Sequence, residues 1–126
     1  MTEHVLILEV KRPPMLANHH RRWHWSRVRE AKRTAQTMVW VAAKQAKIPR
    51  QRQRVVVDIT WFAPDNIHRD SDGLGPFAKA AIDGLVTAGV LDDDDHRFVA
   101  RTSTAIEVDR RRPRIEVRVS PAEARA

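Results

Sequence analysis

Six aspartates in two tight groups carry most of the chemistry in this chain. They are Asp70 and Asp72, separated by Ser71, and the run Asp92, Asp93, Asp94 and Asp95. Residues 66–100 hold seven acids against three bases, a balance of −4, inside a chain of net charge +7. The remaining residues therefore stand at +11. Carboxylates packed together repel one another, and a divalent cation is the usual reason for such a concentration. A basic body around an acidic, metal-binding pocket fits an enzyme that acts on a polyanion.

Asp70 and Asp72 lie two apart in a segment expected to be extended. Strand-like periodicity would send both carboxylates to one side, where they could share a cation. They also precede a helix, whose first N–H groups carry partial positive charge. Mg²⁺ takes hard oxygen donors in octahedral geometry, so Asp-x-Asp with one further aspartate would serve. The plainer alternative is that Asp70 and Asp72 cap a helix and that the second run is a solvated turn. One helix links the two groups, and they form one site only if the chain brings both to a common cleft.

A second region with chemistry is the basic and aromatic stretch at residues 15–25. His19, His20 and His24 sit there among Arg21, Arg22, Trp23 and Trp25. Neighbouring cations disfavour a metal ion, whereas arginine neutralises phosphates and tryptophan stacks on exposed bases. Arg27 extends the basic run. The competing reading has the tryptophans in the core and the arginines solvated. Arg69, beside His68 and Asp70, could also reach a phosphate.

At 126 residues the chain fits one domain, 1–126, with a single core. Cysteine is absent, which excludes disulfides, thiolate zinc sites and cysteine nucleophiles. Apolar runs are too short to span a bilayer, so no membrane partner is expected. The first ten residues lack the pattern of a signal peptide, and a cytoplasmic location is the expectation. A sequence pI near 11 favours nucleic acid as partner.

The elements that must position these residues follow from periodicity. Val5 to Val10 reads as a strand stopped by Pro13 and Pro14. Residues 15–25 read as irregular. A helix then runs from an N-cap at Ser26 to about Lys47, with Val28, Ala31, Ala35, Met38, Val39, Ala42 and Ala46 as its apolar stripe. Residues 54–62 alternate, with Val55, Val57, Ile59 and Trp61 on the buried face. A second helix starts near Gly75 and Pro76, buries Phe77, Ala78, Ala81, Ile82, Leu85 and Val86, and ends at Gly89. Strands at 98–108 and 114–119 close the order β-α-β-α-β-β. The fold class is α/β (α+β), a small domain with a mixed sheet of about four strands and two main helices.

Asp70-x-Asp72, Leu74, the stretch from Lys79 through Ile82, Asp83, Gly84 and Leu85 to Gly89 and Leu91, and then the aspartates, in that order, resemble the central signature of the RusA family of Holliday-junction resolvases. The similarity covers about 35 residues closely. Pro13-Pro14 with the downstream Asn18 also resembles a pattern of that family. The resemblance implies a small, homodimeric endodeoxyribonuclease that uses Mg²⁺, or Mn²⁺, to cut branched DNA such as a four-way junction. By position it implies Asp70 and Asp72 as the first two catalytic acids and metal ligands. It places the third at Asp94, with Asp93 as the alternate ligand and Asp92 and Asp95 as solvated neighbours. Lys79 matches the family's essential lysine. DNA contacts would come from Asn18, Arg21, Arg22, Trp23, Arg27 and Arg69. Two departures stand out: Gly73 replaces the asparagine that usually follows Asp-x-Asp, and Lys79 lies seven residues after Asp72 rather than four. A non-catalytic nucleic-acid-binding domain and an inactive resolvase remain the alternatives.

Overall fold

A computed structural model describes residues 3–123, apart from the side chain of His20. Four strands form one mixed sheet: β1 (His4–Leu8), β2 (Val55–Ala63), β3 (Val99–Val108) and β4 (Arg114–Pro121). Their spatial order is β1-β4-β2-β3. The β1/β4 and β4/β2 pairs are antiparallel and β2/β3 is parallel. A parallel pair needs a crossover, and here α3 (Gly75–Thr87) supplies it. The α+β class with mixed strand directions is as the sequence predicts.

The alternation of β2 holds from Val57 on. Val55, Val57, Ile59 and Trp61 are buried, while Asp58, Thr60 and Phe62 are half-buried on the other face; Val56, also on that face, is buried, beside a register shift at Val55/Val56. One row of side chains crosses the sheet in register: Leu8 faces Ile115, Ile115 faces Trp61 and Trp61 faces Ile106. These apolar rows join residues of α2 (Trp25–Gln45) and α3 in a single core cluster. Helix α2 contributes Ala35, Val39 and Ala43 to it, and buries Val28 outside that cluster. Ala43 thus takes the place expected of Ala46, which is exposed because the helix ends at Gln45.

Helix α3 is anchored at both ends as predicted. Proline sits in its first turn, where the missing N–H is not needed. At the other end Gly89 has φ +81°, the left-handed conformation that closes a helix. The Val90 and Gly89 N–H groups donate to the carbonyls of Leu85 and Val86, both at 3.0 Å, which is the Schellman pattern. Between these ends α3 crosses α2 closely. A Cβ on Gly84 would lie 2.7 Å from the Gln36 carbonyl oxygen and 3.0 Å from Val39 Cβ. Only a glycine lets the two backbones meet at that point.

Two local expectations are corrected. The segment read as irregular contains a six-residue helix, α1 (Ala17–Arg22). Its start escapes the usual signals because Leu16 occupies the cap, and His19 Nδ1 accepts the Leu16 N–H at 3.2 Å. Helix α2 likewise begins one residue before Ser26. His24 is the cap, and its Nδ1 accepts the Ser26 backbone N–H at 3.2 Å. The His24 imidazole thus performs the task normally given to Ser, Thr, Asp or Asn, and the His19 imidazole the one given to Glu or Gln three residues after the cap. No helix among the described residues is long and apolar enough to cross a membrane.

Candidate active site

Asp70 and Asp72 line one open cleft of about 370 Å³ at the carboxyl end of the parallel β2/β3 pair. Trp61 and Ile106, neighbours in that register, form its floor. Crevices outside the carboxyl ends of parallel strands are the usual ligand sites of such sheets. Asn18 and Arg21 of α1 close another side, with His68, Arg69 and Gly73 completing the cleft.

The cleft is assembled by long-range contacts. The buried Trp61 indole N–H donates to the Lys11 carbonyl at 2.9 Å, pinning the N-terminal segment across the end of β2. Met15 is buried just beyond, and α1 packs on the turn that carries Asp72. Asn18 and Arg21 line the same cleft as the acids for that reason.

The expected extended Asp-x-Asp is partly wrong. Asp70 is extended (φ −92°, ψ 133°), but Asp72 lies in a 3-10 helix, Ser71–Leu74, that leads into α3. Gly73 N–H donates to the Asp70 carbonyl at 3.0 Å, so the chain turns between the two acids. They share the cleft through this turn and not through strand periodicity. Asp70 is open to solvent, with His68 Nε2 3.7 Å from its carboxylate.

Arg69 has a different setting from a free phosphate contact. Its guanidinium ion-pairs with Asp65 at 2.7 Å, donates to the carbonyls of Asp65 and Ile67 and lies 4.6 Å from the Trp61 ring centre. Its side chain is only 14% exposed. Arg69 thus fixes the loop that delivers Asp70. Asp65 is held below the ordinary carboxylate range chiefly by that arginine.

Lys79 and Asp94 meet at the side of α3. The ammonium bonds the Asp94 carboxylate and also lies 3.3 Å from Asp83, one turn further along the helix. Lys79 is four residues, or about 6 Å, from the start of α3. The loop after α3 therefore folds back along its helix toward the end that bears Asp72. Lys79 is pushed above its ordinary value, first by the Asp94 bond and also by Asp83, although slight burial opposes this. Asp94 is lowered, mainly by Lys79 and then by Asp93. The Asp93 carboxylate also accepts the Asp94 N–H at 2.8 Å and braces it.

The other two aspartates of the run are ion-paired, not merely solvated. Asp92 forms a two-point bridge with Arg50, at 2.7 and 2.5 Å. With the Gln51 N–H donating to the Val90 carbonyl at 2.8 Å, this bridge ties the loop to the connection before β2. Asp95 accepts from the Arg97 N–H at 2.9 Å and from its guanidinium at 3.0 and 2.8 Å. Its carboxyl is lowered to about 2, first by that side chain and then by the backbone bond.

Asp70 and Asp72 supply the hard oxygen donors that Mg²⁺ takes, and one or two carboxylates suffice where phosphates and waters complete the shell. Among the described residues, however, no three His, Asp or Glu side chains are grouped to hold a metal ion. Neither Asp94 nor the alternate Asp93 is therefore gathered with Asp70 and Asp72; the Asp94 carboxylate is engaged by Lys79 instead. Arg22, Trp23 and Arg27 lie on the α1–α2 corner beside the cleft rather than in its lining.

Trp61 belongs to this region, and nothing in the sequence marks it for the site. Trp61 reads as core because it alternates with Ile59, and only its position at the strand end in the fold marks it. No family model matches the chain, and no curated protein matches its sequence.

Proposed function

We propose that the chain is a metal-dependent endodeoxyribonuclease acting on branched DNA, as its resemblance to the RusA family implies. The observation that carries this reading is the shared cleft of Asp70 and Asp72 with Arg21 and Asn18. Asp70 and Asp72 would hold Mg²⁺, or Mn²⁺, with the scissile phosphate completing the shell. The ion, when bound, supplies charge neutralisation and an activated water. Arg21 draws the phosphate into a cleft that would otherwise repel it, and Asn18 offers a neutral donor to an oxygen. Lys79 lines a separate hollow on α3 with Lys32, Gln36 and Asp83, so in this reading its part is to hold Asp94 and balance the local charge rather than to touch the phosphate in the cleft. A homodimer suits a substrate cut symmetrically on two strands. A cytoplasmic location belongs to the same reading.

Asp70→Asn tests it. Mg²⁺-dependent cleavage of a four-way junction should fall to background while junction binding persists. Cleavage that survives unchanged overturns the reading. A second reading, a non-catalytic nucleic-acid-binding domain, draws on the engagement of Asp94 by Lys79. In that case the wild-type chain binds the junction and leaves it uncut in any divalent metal.

A further inference from the structure

The two tryptophans at the α1–α2 corner are in opposite situations. Trp23 is occupied: the His19 ring stacks on it at 4.5 Å and 3°, and the Arg27 guanidinium lies 3.8 Å from its ring centre. Trp25 is 63% exposed at the first position of α2. Arg29 lies 4.6 Å from its ring centre, while His24 is tilted by 36° at 5.4 Å. The indole is thus oriented on a capped helix end and still presents open ring surface. We propose that Trp25 is a stacking platform for an unpaired nucleobase of a polynucleotide.

Three observations favour that occupant. Residues 21–33 carry six bases, Arg21, Arg22, Arg27, Arg29, Lys32 and Arg33, against the single acid Glu30, and a protein interface core is instead depleted of charge. An open groove of about 530 Å³ runs along α2 from this corner, lined by Ser26, Arg29, Glu30, Arg33, Thr34 and Thr37, so its two arginines outnumber its one acid. Arg29 belongs to both the groove and the Trp25 platform. An aromatic platform joined to a basic groove that tracks phosphates is the arrangement that binds single strands.

Reach is consistent with the acidic cleft. Arg21 lines that cleft, and Trp25 follows it by four residues, which span at most about 14 Å. That is about four nucleotides of axial rise in a duplex strand, and about half as many in an extended single strand. A strand with its backbone at Asp70 and Asp72 can therefore lay an unstacked base on Trp25 without leaving the surface. The inference rests on the polynucleotide part of the proposed function and not on hydrolysis.

The test is fluorescence anisotropy in EDTA with three labelled DNAs: a thymidine oligonucleotide, a four-way junction and a blunt duplex. Trp25→Ala should weaken the first two by about tenfold and the duplex by no more than about twofold. Trp25→Phe should restore most of the loss. The slope of affinity against salt should be unchanged in Trp25→Ala and shallower by about one unit in Arg33→Gln. Unchanged affinity for all three DNAs, or an equal loss on all three, overturns the inference. So does a change in molecular mass by light scattering in Trp25→Ala, which would make the indole a protein contact. Because binding is read without metal, a chain that never cuts DNA can still satisfy this test, so the two ideas fail separately.

Discussion

Lys79 and Asp94, fifteen residues apart, bond side chain to side chain across the full return of the chain from α3. The same ammonium lies 3.3 Å from Asp83. One cation thereby holds two carboxylates at the flank of α3, about one turn from the turn that carries Asp72. Breaking this contact changes where the Asp94 carboxylate sits and leaves the core untouched.

Asp94→Asn and Lys79→Ala should therefore fold normally and cleave poorly. Lys79 is exposed, Asp94 is half-buried and neither belongs to the core, so melting temperature should move by no more than about 3 °C. Junction cleavage should drop at least about tenfold in each, a size typical of losing one positioned charge near a reacting phosphate. Circular dichroism melts and single-turnover cleavage check the two halves. A large loss of stability in either variant would make the pair structural.

Gly84 is where α2 and α3 touch. Alanine there places its methyl 2.7 Å from the Gln36 carbonyl oxygen, closer than a Cβ tolerates. Alanine gains about 1 kcal/mol in helix propensity. Overpacking costs about 1–3 kcal/mol and should win, for a net destabilisation of about 1 kcal/mol. Urea unfolding of Gly84→Ala measures it. The Gln36 amide, which donates to Asp83 at 3.4 Å, should shift in NMR spectra with the helix.

Gly73 stands where the RusA signature usually carries asparagine, on the wall of the Asp70–Asp72 cleft. A Cβ at this position meets nothing within 4 Å. Gly73→Asn should leave the melting temperature within about 3 °C and add an amide facing the cleft. If the resemblance carries function, junction cleavage rises; an unchanged rate in a well-folded variant counts against a role for that amide.

The acid limb of stability has a defined sign. Asp95 titrates at about 2 instead of 3.8, and Asp92 and Asp94 are also lowered by Arg50 and Lys79. A depressed folded value means the contribution is complete above the ordinary value and is lost as pH falls through the folded one. Lys79, being raised above 10.5, loses its share only as pH climbs past that value. The Lys79–Asp94 contact is thus fully ionised between about pH 5 and 9. Carboxyl NMR titration should place Asp95 near 2 and return it toward 3.8 in Arg97→Gln. A wild-type midpoint near 4 contradicts the bridge.

The chain determined by itself whatever rests on neighbours a few residues apart. Pro76 and Gly89 bound α3, the Val55–Trp61 alternation makes β2, and Phe77, Ala81 and Leu85 share one helical face because side chains three and four apart do. The acids of residues 70–95 are visible as a charge concentration for the same reason. Tertiary structure alone decided which acids meet which cations. Trp61 pins Lys11 fifty residues away, which brings Asn18 and Arg21 to the cleft of Asp70. Arg50 takes Asp92 and Lys79 takes Asp94. Arg69 was legible as a base beside Asp70, but not as the half-buried prop of its loop. Local propensity acts through the backbone over one turn, whereas an ion pair depends on where folding brings two distant side chains, and that is set by how the sheet and helices pack.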